Sequence, residues 1–136
     1  MEQVNRLVLR GAVVVVAVPI VVLVLLSVIV GGTMVVNNLR LSEWKDDLYN
    51  LAPPPDARVV AKGTDFGLLG GNGNHCDRRA WVLLSTAANA DEVERHYTGR
   101  LETESVWISV TTVERSEVRV EMFEPGDSAG WDPRCH

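Results

Sequence analysis

Between Gly11 and Val36 the chain carries 26 consecutive residues without a charge, nearly all of them Val, Leu, Ile, Ala or Gly. Wound as a helix at about 1.5 Å per residue, the run reaches roughly 39 Å, more than the ~30 Å hydrocarbon core of a bilayer. A helix apolar on every side needs either a large protein interior or lipid around it, and the hundred residues that follow cannot supply the first. The stretch therefore predicts a transmembrane helix from Gly11 to Val36, with the lipid bilayer as the first partner of the chain.

The rest of the sequence divides around that span. Residues 1–10 form a short polar arm, 37–55 a connector, and 56–136 one small domain. From Asn37 onward there are 17 Asp and Glu against 11 Lys and Arg, a net charge of −6. A domain this acidic repels a phosphate backbone, so nucleic acid is excluded as a partner. Only Lys45 and Lys62 among the 13 basic residues are lysine. With the abundance of Val, Ala and Gly, that arginine bias points to GC-rich codons and a bacterial source.

Counting basic residues beside the span gives Arg6 and Arg10 on one flank and Arg40 and Lys45 on the other, nearly a tie. Arg6 and Arg10 abut the apolar run directly, the layout of an uncleaved signal anchor. The expected location is the plasma membrane, single-pass, with the amino terminus cytoplasmic and the carboxyl-terminal domain extracytoplasmic. A cleaved signal peptide is the alternative, but its apolar region is shorter and closes on a small-x-small site. Here bulky residues continue through Val35 and Val36. A lipoprotein needs a cysteine directly after the apolar region, and the first cysteine is Cys76.

In the connector Leu41, Trp44, Leu48 and Leu51 recur at helical spacing among Glu43, Lys45, Asp46 and Asp47, which predicts a short amphipathic helix after Asn37 and Asn38. Trp44 and Tyr49 suit the membrane interface, where an amphipathic ring is half wet. Packing of this helix on the domain is the competing arrangement. Pro53, Pro54 and Pro55 end the helix and stiffen the chain into an extended spacer.

From Asp56 the apolar period changes to alternation. Arg58 to Lys62 and Ala80 to Thr86 are strand candidates, separated by the glycine-rich stretch 63–74, into which Phe66, Leu68 and Leu69 extend the first strand at most. Asn89 followed by Glu92 is a capping pair for a helix whose stripe is Val93, Tyr97 and Leu101. Val106, Ile108 and Val110, then Val118, Val120 and Met122, point to one face of two strands joined by a turn at Glu114 to Glu117. The predicted fold is a single transmembrane α-helix followed by a small α+β domain, an antiparallel sheet with element order β-β-α-β-β and one helix packed on one face.

Taken together, Pro53 to Pro55 before a strand, Cys76 before Trp81, Asp91-Glu92-Val93 leading to Tyr97, then Leu101 and Trp107 resemble a pattern in bacterial single-pass membrane proteins and lipoproteins with a small extracytoplasmic α+β domain. The resemblance covers residues 53–123. It implies layout and location, and it carries no activity.

Candidate chemistry is thin. Gly71-x-Gly73 lacks the helix start and Gly-Lys-Ser/Thr ending of a phosphate loop, and reads as a turn. His75-Cys76 and Cys135-His136 make a set zinc accepts, but adjacent residues on an extended chain point apart, so no metal is expected. Ser85, Cys76, His75 and His96 show no nucleophile-elbow or zinc-protease spacing, and Asp65, Asp77 and Asp132 pair only through tertiary approach. No catalytic residue and no cofactor are assigned. Cys76 and Cys135, an even count in an oxidising compartment, are expected to form a disulfide. The expected function is a membrane-anchored extracytoplasmic binding or scaffolding domain with an unknown protein partner. The alternatives are an accessory subunit of a larger membrane complex and a membrane-tethered hydrolase.

Overall fold

The computed structural model describes residues 2–70, 73, 75–101, 104–126 and 130–136, with side chains from residue 15 onward. Helix α1 runs from Glu2 to Asn50, 49 residues without a break. It is long and apolar enough to cross a membrane, and Val15 through Ile29 are exposed along it. The separate connector helix expected after Asn37 and Asn38 is thus corrected: one helix continues through both asparagines. Asparagine interrupts helices when its side chain competes for the local backbone. Here Asn37 and Asn38 are engaged elsewhere, by Asp132 and Arg134.

Four strands follow, β1 Arg58–Gly67, β2 Asp77–Ser85, β3 Trp107–Glu114 and β4 Glu117–Glu124, with helix α2 Ala90–Leu101 between β2 and β3. They form one antiparallel sheet with spatial order β1-β2-β4-β3. The predicted α+β architecture is therefore present. In the β3–β4 hairpin Ile108 lies opposite Met122 and Val110 opposite Val120, so the like parities share one face as the alternation requires.

Strand β1 is longer than its sequence suggests. Its register with β2 runs on through Gly63, Thr64, Asp65 and Phe66 to Gly67. Gly63 is tolerated mid-strand because the Trp81 ring lies across it, so that a β-carbon there would come within 2.5 Å of Trp81 Cζ2. The cross-strand indole supplies the packing that glycine lacks.

The core lies between the sheet and the two helices. Ala80, Val82, Leu84, Val118, Val120 and Met122 from the sheet meet Val93 and Tyr97 of α2 and Leu48 of α1. Leu48 is 1% exposed, so the carboxyl-terminal turns of the long helix are an integral part of the domain. On α2 the capping pair is reciprocal: Glu92 N–H donates to Asn89 Oδ1 (2.9 Å) and Asn89 N–H donates to Glu92 Oε2 (3.2 Å). Val93 and Tyr97 are fully buried, whereas Leu101, the third residue of the predicted stripe, is only partly covered. The proline segment is not an open spacer. Pro54 is buried, and its carbonyl accepts from Ala57 N–H (3.1 Å) in a tight turn that carries Asp56 at φ 63°.

Candidate functional site

Residues distant in sequence converge where α1 leaves its apolar stretch. The carboxyl-terminal segment packs along the helix there, and Asp132, 0% exposed, is its centre. Arg134 donates to Asp132 Oδ1 through its backbone N–H (3.1 Å) and Nε (2.9 Å), and to Oδ2 through its terminal guanidinium nitrogen (2.6 Å). Asn37 of α1 donates its amide to Asp132 Oδ2 (2.9 Å), and the other end of the guanidinium reaches Asn38 Oδ1 (2.9 Å). The hydrogen bonds and charge of Arg134 and the Asn37 amide hold the Asp132 carboxyl far below the ordinary carboxylate range, against an opposing contribution from burial. The same bonds raise Arg134 above its usual value.

The latch extends into the sheet. Leu68 N–H donates to the Arg134 carbonyl (3.1 Å), and the guanidinium stacks 4.6 Å from the Phe66 ring centre. Gly67, at φ 140°, has no room for a side chain, because a β-carbon would fall 2.6 Å from that carbonyl. Next in line, Cys135 and Cys76 are joined in a disulfide with Cα atoms 5.0 Å apart, closing a separation of 59 residues. Asp77, 1% exposed, gathers the surrounding loops: its carboxylate accepts from Leu69 N–H (3.1 Å), Gly70 N–H (3.0 Å) and Gly126 N–H (3.3 Å).

Trp44 and Tyr49, the pair expected at the membrane interface, are partly buried and pack against the domain core, the competing arrangement for this stretch of helix. Lys62 of β1 sits 4.7 Å above the Tyr49 ring, and burial, then the charges of Asp46 and Asp65, raise the phenol's pKa. At 1.5 Å per residue, Trp44 stands about 12 Å along the helix beyond Val36.

Two clefts open on the surface of the described residues. One, of about 580 Å³ between α1, α2 and β4, is lined by Trp44, Asp47, Leu51, Arg100, Leu101 and Glu124, and the covered indole Nε1 of Trp44 has no hydrogen-bond partner. The other, about 620 Å³ at the far end of the sheet, is lined by Asp56, Arg58, Ser85, Thr86 and Arg115. The outer sheet face carries a charge ladder. Asp65 pairs with Arg79 (3.0 Å), Arg79 with Glu121 (3.8 Å) and Glu121 with Arg119 (3.3 Å), whose guanidinium stacks 4.5 Å from the Trp81 ring. Trp107 and Phe123 form a tilted ring pair at its edge (5.9 Å).

The titratable groups weighed for catalysis are dispersed. His75 Nε2 lies 2.9 Å from the Gly70 carbonyl and 3.2 Å from Asp77, and His96 Nε2 lies 2.9 Å from the Ala52 carbonyl. Ser85 lies in a cleft that no described histidine lines. Asp65, Asp77 and Asp132 each answer to a different partner. Cys76, Asp132 and Cys135 bring potential ligand atoms within 4.8 Å of one another, but disulfide sulfurs offer no thiolate and Asp132 is spoken for by Arg134. Gly71 of the glycine pair lies outside the described residues.

The comparisons leave the chain on its own: no family model, curated protein or solved structure matches it.

Proposed function

We propose that this is a single-pass membrane protein whose extracytoplasmic domain is a binding or scaffolding module, held at a fixed height and orientation above the bilayer. The observation that carries this is the continuity of α1. The helix that includes the membrane-length stretch ends in the domain core at Leu48, and the Asn37–Asp132 and Asn38–Arg134 contacts fasten it again about three turns earlier. A tethered hydrolase gains from a flexible leash that lets it search for substrate; a rigid post instead presents one surface in one place. The outer sheet face, with its charge ladder and the exposed Trp107, is the surface so presented. Aromatic residues and arginine are the side chains that most often anchor protein partners.

The orientation proposed is amino terminus cytoplasmic, supported by Arg6 and Arg10 beside the span and by a disulfide that belongs on the oxidising side. Protease added to intact cells then digests the domain.

A photoreactive amino acid placed in intact membranes at Thr111 on the outer face, at Glu94 on α2, or at Leu23 in the span tests the function. The scaffold predicts a discrete protein adduct from Thr111 and none from Glu94. An adduct confined to Leu23 makes the chain an accessory subunit held through its helix. No discrete adduct from any position overturns the proposal.

A further inference from the structure

We infer that Trp131 is an interfacial anchor, seated at the boundary between lipid headgroups and acyl chains of the same bilayer that α1 crosses. The inference rests on the membrane-spanning role proposed above. Its basis is the height at which the carboxyl-terminal segment meets the helix. Gly130 lies so close to α1 that a β-carbon there would be 3.8 Å from Thr33 Cγ2, while Asp132 is bonded to Asn37. Trp131 is therefore held between the levels of Thr33 and Asn37.

Those levels coincide with the outer interface. Twenty residues of helix cross a ~30 Å hydrocarbon core, and counted from Gly11 they end near Val30. The headgroup zone adds about 5 to 7 Å on each side, roughly three to five residues of helix, which reaches to about residue 35. The apolar run continues to Val36, beyond what the core requires, and it is along this surplus that the protein covers its own helix: Thr33, Met34 and Asn37 are partly covered, whereas Val15 through Ile29 are exposed. Tilting α1 until Val36 reached the hydrocarbon edge would drag the charged Asp132–Arg134 pair down with it, at a high desolvation cost.

At this height Trp131 is 63% exposed. Leu68, tied to the same segment through the Arg134 carbonyl, is also exposed. In a soluble domain an exposed tryptophan on an irregular segment is an unrewarded loss of burial. In the interface the indole finds a half-wet, half-apolar medium that suits it. Trp107, also exposed, stands on the outer face paired with Phe123, two rows of the sheet above Gly67, and is not part of this contact.

The full chain, reconstituted into phosphatidylcholine vesicles brominated either near the headgroup end or near the terminus of the acyl chain, tests the anchor by tryptophan fluorescence. Shallow bromines are expected to quench the wild type more than deep ones. Trp131→Phe should remove about half or more of the shallow quenching, as loss of the interfacial indole requires, and Trp107→Phe should preserve it. If Trp131→Phe is quenched like the wild type, while the protein still floats with the vesicles, the anchor is wrong and the membrane span stands. If the protein is stripped from vesicles by alkaline wash, the membrane span fails and takes the anchor with it.

Discussion

Asn37, far along a helix of membrane length, donates its side-chain amide to the carboxylate of Asp132, 2.9 Å away and 95 residues later in the chain. The contact closes the domain back onto the long helix that precedes it. Because Asp132 is wholly buried and also holds Arg134 through three hydrogen bonds, the latch depends on one charge.

That dependence gives a pH signature. The folded carboxyl of Asp132 is held well below its ordinary value, so its contribution is complete above the unfolded value of about 4 and is lost progressively as pH falls beneath it, where the unfolded chain takes up a proton that the folded chain refuses. Thermal unfolding of the full chain in detergent should show stability declining from about pH 4 downward, and Asp132→Asn should flatten that decline. At neutral pH Asp132→Ala should cost about 3 kcal/mol, the low end for breaking a buried pair, because Arg134 stays partly solvated. An acid limb unchanged in Asp132→Asn would place the sensitivity in another group.

Leu48 tests whether the helix end belongs to the core. It is 1% exposed among Ala80, Val82 and Tyr97, and Leu48→Ala should lower stability by about 2 to 5 kcal/mol through lost burial and the cavity left behind. Leu39, 61% exposed, serves as control, and Leu39→Ala should stay within about 0.5 kcal/mol in detergent. Equal losses would mean that the helix end is not docked in the core.

These two sites mark the limits of what the residues say in order. The α2 capping pair, the paired parities of β3 and β4 and the membrane-length run are local patterns, and each is present in the structure. The spacing of Leu41, Trp44 and Leu48 announces a helix but not which surface covers it, since an amphipathic stripe serves lipid and protein equally. Asn37 and Asn38 read locally as a helix end. Only partners almost a hundred residues away make them the middle of one. Strand β1 passes Gly63 for a similar reason: the packing that sustains it belongs to Trp81 on the neighbouring strand. Trp131 carries no local signal at all, because its height depends on the latch.

Gly126 is a steric test of the turn that leads into the latch. A β-carbon at Gly126 would collide with the carbonyl of Cys76, which is backbone and cannot swing away. Gly126→Ala should therefore cost about 1 to 3 kcal/mol or more and disturb the hydrogen bond from Gly126 N–H to Asp77. Gly70→Ala, with open space around it, should be nearly silent. A Gly126→Ala protein that melts with the wild type would show that the chain at Gly126 does not pack against the Cys76 carbonyl.

The disulfide fixes the order in which the latch fails. Cys76 and Cys135 close a loop across a sequence separation of 59, and the chain-entropy model assigns such a closure about 4 kcal/mol, measured values often being smaller. That is a large part of the stability available to a domain this size. Cys135 directly follows Arg134, so the bond holds the Asp132–Arg134 pair against α1 while the rest of the segment contributes little apolar burial. Reduction of the full chain should thus release the tail before it unfolds the sheet: the tail becomes sensitive to protease under mild reductant, while the far-ultraviolet signal of the sheet and helices changes only at higher temperature. Asp132→Ala in the oxidised protein should loosen the contacts to Asn37 and Asn38 without freeing the tail, since the covalent bond remains. Alkylation of protein taken directly from membranes, with mass measured before and after reduction, checks the premise. No label without reductant and two labels after it are expected. Two labels without reductant would make the pair free thiols beside Asp132, three potential ligands within 4.8 Å of one another, and a doubled mass that reductant halves would move the bond between two chains.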